Sequence, residues 1–177
     1  MRLNVIGELN DDRIEDWLLA LRPVHYLFSH PGVQPEPEVY DVVVCSEGGD
    51  EHAYTAFIDL FARVRDEMRL KTTAVGRVMS GAPLLVANGS PGHRRSYAST
   101  MWGLHLPYLA SMDEDSGAQD IEIHDIEKSK AMYCRRLEQV SKHTRRWWRK
   151  LLKGKSMVYF DAQQALRWGL IDTVIGG

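Results

Sequence analysis

Three residue types that acyl-transfer chemistry requires stand in order through the middle of this chain. Gly48 and Gly49 sit in CSEGGDEHA, Ser80 in VGRVMSGAPLLVANG, and His105 follows RRSYASTMWGL. A serine hydrolase needs a nucleophile, a base to take its proton, and donors for the developing oxyanion. Ser80 is the candidate nucleophile, and His105, twenty-five positions on, is the candidate base. The N–H groups of Gly49 and Gly81 are the candidate oxyanion donors, because a glycine lets the backbone approach a substrate closely. Each residue also has a plainer explanation. Ser80 makes a good helix N-cap before Gly81, Ala82 and Pro83. Gly49 suits a turn, and His105 suits a polar strand end. Singly, the plainer explanations are preferable; joint placement on one sheet edge shifts the balance toward catalysis.

The elements that would position these residues are legible from periodicity. RLNVIGEL reads as a short strand, and Asp11 or Asp12 caps a helix over DRIEDWLLALR with Ile14, Trp17, Leu18 and Leu21 on one face. HPGVQPEPE, rich in proline, is a loop. VYDVVVCSE is β-branched and suits a strand buried on both faces. EHAYTAFIDLFARVRDEM places Phe57, Leu60, Phe61, Val64 and Met68 at helical spacing. KTTAVG is a second buried strand, followed by the Ser80 turn and the helix APLLVANG. This βαβα order implies parallel strands joined by a right-handed crossover. RRSYASTMWGLHLP then reads as one strand leading to His105. SMDEDSGAQ is a polar loop, and one long helix is expected from Asp120 to about Leu152. VYFDAQQALRWGLIDTVIGG closes the chain with a strand, a helix capped by Asp161 with Gln164 three residues on, and a final turn. In α/β sheets, chemistry sits outside the carboxyl ends of the strands, where Gly49, Ser80 and His105 all fall.

The bulk properties bound the alternatives. The chain has 177 residues, 44% hydrophobic and 26% charged, which suits one domain over 1–177. A net charge of -2 gives no global pull toward nucleic acid. Two distant cysteines, Cys45 and Cys134, match no metal-ligand spacing and indicate a reducing, cytoplasmic setting; both read as small buried apolar residues. No stretch approaches the ~20 apolar residues of a membrane span. No metal or cofactor is implied.

Five segments together resemble the proteolytic subunit of the Clp protease, ClpP. CSEGGDEHA is similar to the family's Ser-Pro-Gly-Gly segment, with Glu47 in place of the proline. GRVMSGAPLLVANGSPGHRR resembles its nucleophile segment, and HLP, His105 to Pro107, resembles its His-Gln-Pro. DIEIH, Asp120 to His124, resembles the opening of its handle helix, and AQQALRWGLID resembles its closing segment. The resemblance implies a crotonase-like α/β fold of βαβ units with a long handle, here about 111–156. It implies homo-oligomeric assembly as two stacked heptameric rings, with peptide or unfolded protein as substrate. It also implies an acyl-enzyme on Ser80, His105 as general base, and an oxyanion hole from the amides of Gly49 and Gly81.

Two departures accompany the resemblance. The family's catalytic aspartate precedes the last helix, and here that slot reads GKSMVYFD, with Met157 or Val158 in the acid's place. Asp161 reads as a cap and Asp172 as a structural member of the closing turn. A Ser-His pair without the acid that fixes the histidine tautomer can lose ~10⁴ in rate, although a backbone carbonyl could orient the ring. The family also carries an N-terminal segment that gates the pore and engages an ATP-driven unfoldase. This chain begins almost at the first strand, so an unfoldase partner is in question. At HTRRWWRKLLKGK, basic residues around Trp147 and Trp148 raise single-stranded nucleic acid as a partner. A helix end whose tryptophans pack at a subunit contact is the favoured reading. A capsid-processing protease of phage type is a variant of the peptidase reading; its rivals are a catalytically weak or silent assembly subunit and an acyl-CoA enzyme of the same superfamily. The last has no need of Ser80 and His105 together.

Overall fold

The computed structural model describes residues 2–10, 39–108 and 116–176. The helix expected over 12–22 and the loop over 30–38 lie outside the described residues. A seven-stranded sheet organises the rest. Its strands are β1 (Arg2–Ile6), β2 (Val39–Ser46), β3 (Arg69–Met79), β4 (Arg94–Tyr97), β5 (Met101–Leu104), β6 (Val158–Phe160) and β7 (Thr173–Ile175). The order is β1-β2-β3-β4-β7, with β5 beside β3 and β6 beside β5. All pairings are parallel except β5 with β6. The expected βαβ crossover is α1 (Glu51–Glu67), which joins the adjacent parallel strands β2 and β3. Asp50 caps it, its carboxylate accepting from the amides of His52 (2.7 Å) and Ala53 (3.3 Å). Phe57, Phe61 and Val64 are buried, and Leu60 and Met68 pack against the same core.

The strands depart from expectation in three places. β2 is not buried on both faces: Tyr40, Val42, Val44 and Ser46 are buried, and the residues between them are half-buried. β3 runs on past Gly76, where the expected strand KTTAVG ended, to Met79. Its register with β2 slips between the pairs Val44–Ala74 and Ser46–Val78, and Gly76 has φ +62°. That irregularity increases twist and re-aims the strand. The first half of β3 therefore pairs with β4 and the second half with β5, so the single strand expected over RRSYASTMWGL is two. The re-aimed end of β3 delivers Ser80, and β5 delivers His105.

The helical half also differs. α2 (Ala82–Ala87) is wholly buried. α3 (Ser116–Val140) begins four residues before Asp120, so Ser116–Gln119 is helix rather than loop. It does not run to Leu152. It ends at Val140, and α4 (Arg145–Leu152) starts afresh with Thr144 as its cap, accepting from the Trp147 amide at 3.3 Å. The break is held by Trp148, whose indole N–H donates to Ser141 Oγ at 2.9 Å. Trp148 is fully buried within this chain, and Trp147 packs against the same core. His143, Trp147, Trp148 and Trp168 form one ring cluster, with Trp168 5.5 Å from Trp147 and 5.4 Å from Trp148. Within the chain these rings form an internal aromatic joint in which each covers another's edge. Both cysteines are free; Cys134 is buried but Cys45 only half-buried. α5 (Ala162–Trp168) has Asp161 as its cap, accepting from the Gln164 amide at 2.6 Å.

Candidate active site

Ser80 does not cap α2. Gly81 is the N-cap and no side chain bonds there, so the plainer explanation of the serine is withdrawn. Ser80 instead has φ +58°, and no other non-glycine among the described residues has positive φ. A left-handed serine is uncommon and costly, and such residues concentrate at functional sites. Its neighbours fix it closely. The Ser80 N–H donates to the Gly103 carbonyl on β5 at 2.9 Å, and its own carbonyl accepts from the Tyr133 hydroxyl at 2.6 Å. Gly48 is packed against it: a Cβ at position 48 would lie 2.4 Å from Ser80 Cβ. The first glycine of the pair therefore clears room for the serine, a role the sequence reading left unassigned.

The second glycine presents an amide. Leu9 donates its N–H to the Gly48 carbonyl (2.8 Å) and its carbonyl accepts from the Asp50 N–H (2.7 Å). Backbone groups alternate along extended chain, so the Gly49 N–H between them is turned away from Leu9. Leu9 crowds position 49 so tightly that a Cβ would fall 2.1 Å from the Leu9 carbonyl oxygen. Gly81 is equally constrained, with Tyr54 2.4 Å from where its Cβ would be.

One cleft of ≈ 720 Å³ collects Ser80, His105, Gly49 and Met157, while Gly81 is buried and does not line it. His105 Nδ1 is 2.8 Å from the Leu106 carbonyl. That contact requires Nδ1 to carry the proton, which leaves Nε2 as an acceptor. Among the described residues no hydrogen bond joins His105 to Ser80; catalytic bonds of this kind often close only around a substrate. The two residues expected at the slot of the family's acid lie in different surroundings. Met157 lines the cleft, whereas Val158 pairs with Leu104 in the sheet and packs on the core. The Met157 sulfur also lies 3.0 Å from a Cβ position at Gly103. A thioether cannot orient an imidazole by accepting charge as a carboxylate does. Asp161 and Asp172 are spent elsewhere, as a cap and as the partner of Arg94. Among the described residues no group of acidic, histidine or cysteine side chains is arranged to hold a metal.

The lining is otherwise acidic: Glu8, Glu47, Asp50, Glu51 and Asp125 all border the cleft. Glu47 pairs with Arg77 (2.9 Å) and Asp125 with Lys128 (3.4 Å), and Asp50 serves α1. Glu8 and Glu51 have no ion-pair partner among the described residues. Burial pushes the Tyr54 hydroxyl above its ordinary value, and the charge of Glu51 adds to it.

A half-buried serine at a strand end thus shares one cleft with an imidazole and with Gly49. The Clp protease family matches residues 33–177. This chain belongs to the Clp protease family. It is 30% identical over 184 residues to the ATP-dependent Clp protease proteolytic subunit 1 of Tropheryma whipplei strain Twist, covering 98% of this chain and 80% of that one. It is 29% identical over 175 residues to the proteolytic subunit 3 of Synechococcus sp. strain CC9605, covering 98% and 82%. The fold matches that of a point mutant of ClpP1 from Listeria monocytogenes with a TM-score of 0.82 at 16% identity, covering 99% of this chain and 91% of that one. The ClpP-type α/β fold and the protease family are therefore secure. Sequence reasoning missed three parts of this Clp protease site. Gly48 was visible as half of a Gly-Gly pair. Tyr133 was visible only as an aromatic on the buried face of a helix. The Leu106 carbonyl, being backbone, has no residue signature at all.

Proposed function

We propose that this member of the Clp protease family is a serine endopeptidase that hydrolyses peptides inside a self-assembled ring. The observation that carries this reading is Ser80: left-handed, free of any capping duty, and in one cleft with an imidazole whose Nε2 is open. His105 Nε2 takes the Ser80 hydroxyl proton as Oγ attacks the scissile carbonyl carbon. The amides of Gly49 and Gly81 hold the oxyanion. His105 then returns the proton to the leaving amine as the C–N bond breaks, and water repeats the sequence on the acyl-serine. The Leu106 carbonyl keeps the productive tautomer but, being neutral, stabilises the imidazolium less than a carboxylate would. The site therefore works slowly. The acidic lining favours peptides with lysine or arginine beside the scissile bond.

The assembly reading rests on the family and on α3 as the handle, with seven or fourteen subunits expected by mass photometry. The relatives' names carry an ATP-dependent activity, and a Clp-type ATPase is the partner class to test here. A cytoplasmic location is consistent with the two free cysteines and with the lack of a membrane-crossing helix among the described residues. The absence of a carboxylate on His105 favours one rival, an assembly subunit with a dormant site. A fluorophosphonate probe separates the two. It labels wild type and not Ser80→Ala if the site is a working peptidase; a wild type that never labels sinks the peptidase reading.

A further inference from the structure

We infer that Tyr133, on the handle helix α3, is a positioning residue that holds the Ser80 turn in its left-handed, attack-ready form. This inference deepens the peptidase reading of the same cleft and rests on it for its catalytic consequence.

The argument begins with Pro83. A carbonyl just before a helix normally finds an amide three or four residues on. Three residues after Ser80 stands Pro83, which has no N–H to offer. The next amide, Leu84, donates to the Gly81 carbonyl at 3.1 Å instead. The Ser80 carbonyl would be left without a local donor in a half-buried turn, and a carbonyl orphaned away from water is disfavoured. The Tyr133 hydroxyl fills the gap at 2.6 Å from fifty-three positions away. Tyr133 is itself 2% exposed, so its hydroxyl has no solvent to bond instead. Burial pushes that hydroxyl far above its ordinary value, so it remains protonated and donates throughout the working pH range.

The second support is the ring. Tyr133 stands edge-on to Tyr54, with centroids 6.3 Å apart and planes at 76°. Tyr54 in turn is the group that fills the space behind Gly81. One tyrosine pair therefore backs both the Ser80 carbonyl and the Gly81 Cα. From the opposite side, the Gly103 carbonyl fixes the Ser80 N–H. A positive φ persists only where the surroundings over-determine it, and these contacts are what over-determines it here. Losing the hydroxyl frees the Ser80 carbonyl to rotate. The turn then relaxes toward ordinary helical φ, and Oγ leaves the line toward His105.

Tyr133→Phe removes the hydroxyl alone and keeps the ring. In the full-length assembled protein its fluorophosphonate labelling rate should fall about tenfold, the rate equivalent of one lost hydrogen bond. Peptide turnover should fall in kcat with KM unmoved. Hydrogen exchange should rise in the segment 78–84 while α1 and β5 stay as protected as in wild type. A Tyr133→Phe variant that labels at the wild-type rate, or shows no local rise in exchange, overturns the inference. The second variant adds Pro83→Ala, which restores an N–H three residues from Ser80. It should fold where Tyr133→Phe alone does not, and should recover part of the lost labelling and protection. A loss that Pro83→Ala leaves untouched assigns Tyr133 to packing and also overturns the inference. If wild type never labels, the peptidase reading fails, and the exchange measurement still decides whether Tyr133 holds the turn.

Discussion

Two regions of this molecule use carboxylates in opposite ways. At Asp172 one carboxylate is wholly engaged: Arg94 Nη2 and Nε reach its two oxygens at 2.6 and 2.9 Å, and the Arg94 amide adds a third bond at 3.0 Å. Arg94 also donates to the Val140 carbonyl at the end of α3 (2.9 Å), so one ion pair joins β4, the handle and the turn before β7. Around Ser80 the position is reversed. Five carboxylates border the cleft, yet none serves His105, whose Nδ1 is left to the Leu106 carbonyl. The lesson is that a carboxylate's function is set by what the backbone brings within hydrogen-bond reach. The number of carboxylates nearby does not decide it.

The largest expected effect breaks the catalytic side of this comparison. His105→Ala removes the one imidazole among the described residues that line the cleft. It should lower kcat about 10³-fold, within the usual range for a general base. Initial rates on a fluorogenic peptide measure it. A variant that keeps wild-type turnover would transfer the base role elsewhere and undo the mechanism.

The structural side breaks differently. Asp172→Asn leaves Arg94 charged and half-buried without its anion, at a cost of about 2 kcal/mol, below the range for a fully buried pair because both side chains keep some solvent. Burial works against the Asp172 charge, but the hydrogen bonds and charge of Arg94 outweigh it and hold the carboxyl below its ordinary value. The unfolded chain therefore binds this proton first as pH falls. The stabilisation is complete at neutral pH and disappears as pH drops through the carboxylate range. Denaturant melts of wild type should show that acid loss, and Asp172→Asn should flatten it. Identical pH profiles for the two proteins would contradict the assignment.

Met157→Asp gives His105 what Arg94 already has. If the new carboxylate reaches Nδ1 and displaces the Leu106 carbonyl, turnover should rise at least tenfold, about 1.4 kcal/mol of barrier. The Met157 side chain already faces the cleft, so the substitution does not bury a charge in the core as Val158→Asp would. Particle mass is checked alongside the rate. A correctly assembled Met157→Asp protein without gain means that Leu106 already orients the ring as well as an acid does.

The gathering of Gly49, Ser80 and His105 at one cleft was legible because βαβ topology sends strand ends to one edge. Asp161 as a cap was also readable, from local hydrogen-bonding chemistry. What could not be read is decided by distant contacts. The break at Ser141–Thr144 carries neither glycine nor proline, and the helical pattern runs through it; the Trp148 indole reaching Ser141 determines it. The division of RRSYASTMWGL into two strands follows from a slip in β3 that only pairing with β2 reveals. Tyr133 was unreadable for the same reason, since its partner is a carbonyl fifty-three residues away.

The smallest effect concerns charge, and it sharpens the comparison inside the cleft itself. Pro107 and Tyr108 form a wall shared with a second cleft of ≈ 540 Å³. That neighbour is lined by Lys130, Arg149, Lys153 and Lys155, and its one acid among the described residues, Glu127, is bridged to Lys130 (2.9 Å) and Arg149 (3.0 Å). On the Ser80 side, Glu8 and Glu51 have no ion-pair partner among the described residues. A peptide lying across the wall thus meets negative charge beside the nucleophile and positive charge beyond it. Exposed charge contacts are worth about 0.5–1 kcal/mol each and weaken with salt. Fluorescent peptides differing only in lysine against glutamate at the scissile position should therefore bind Ser80→Ala about tenfold apart at low ionic strength, with lysine tighter. The gap should shrink as salt is added, and Glu51→Gln in the Ser80→Ala background should narrow it about threefold, one exposed charge's worth. Equal binding of the two peptides at low salt would mean that the acidic lining is screened or paired in the assembled ring, and the cleft would then select on shape alone.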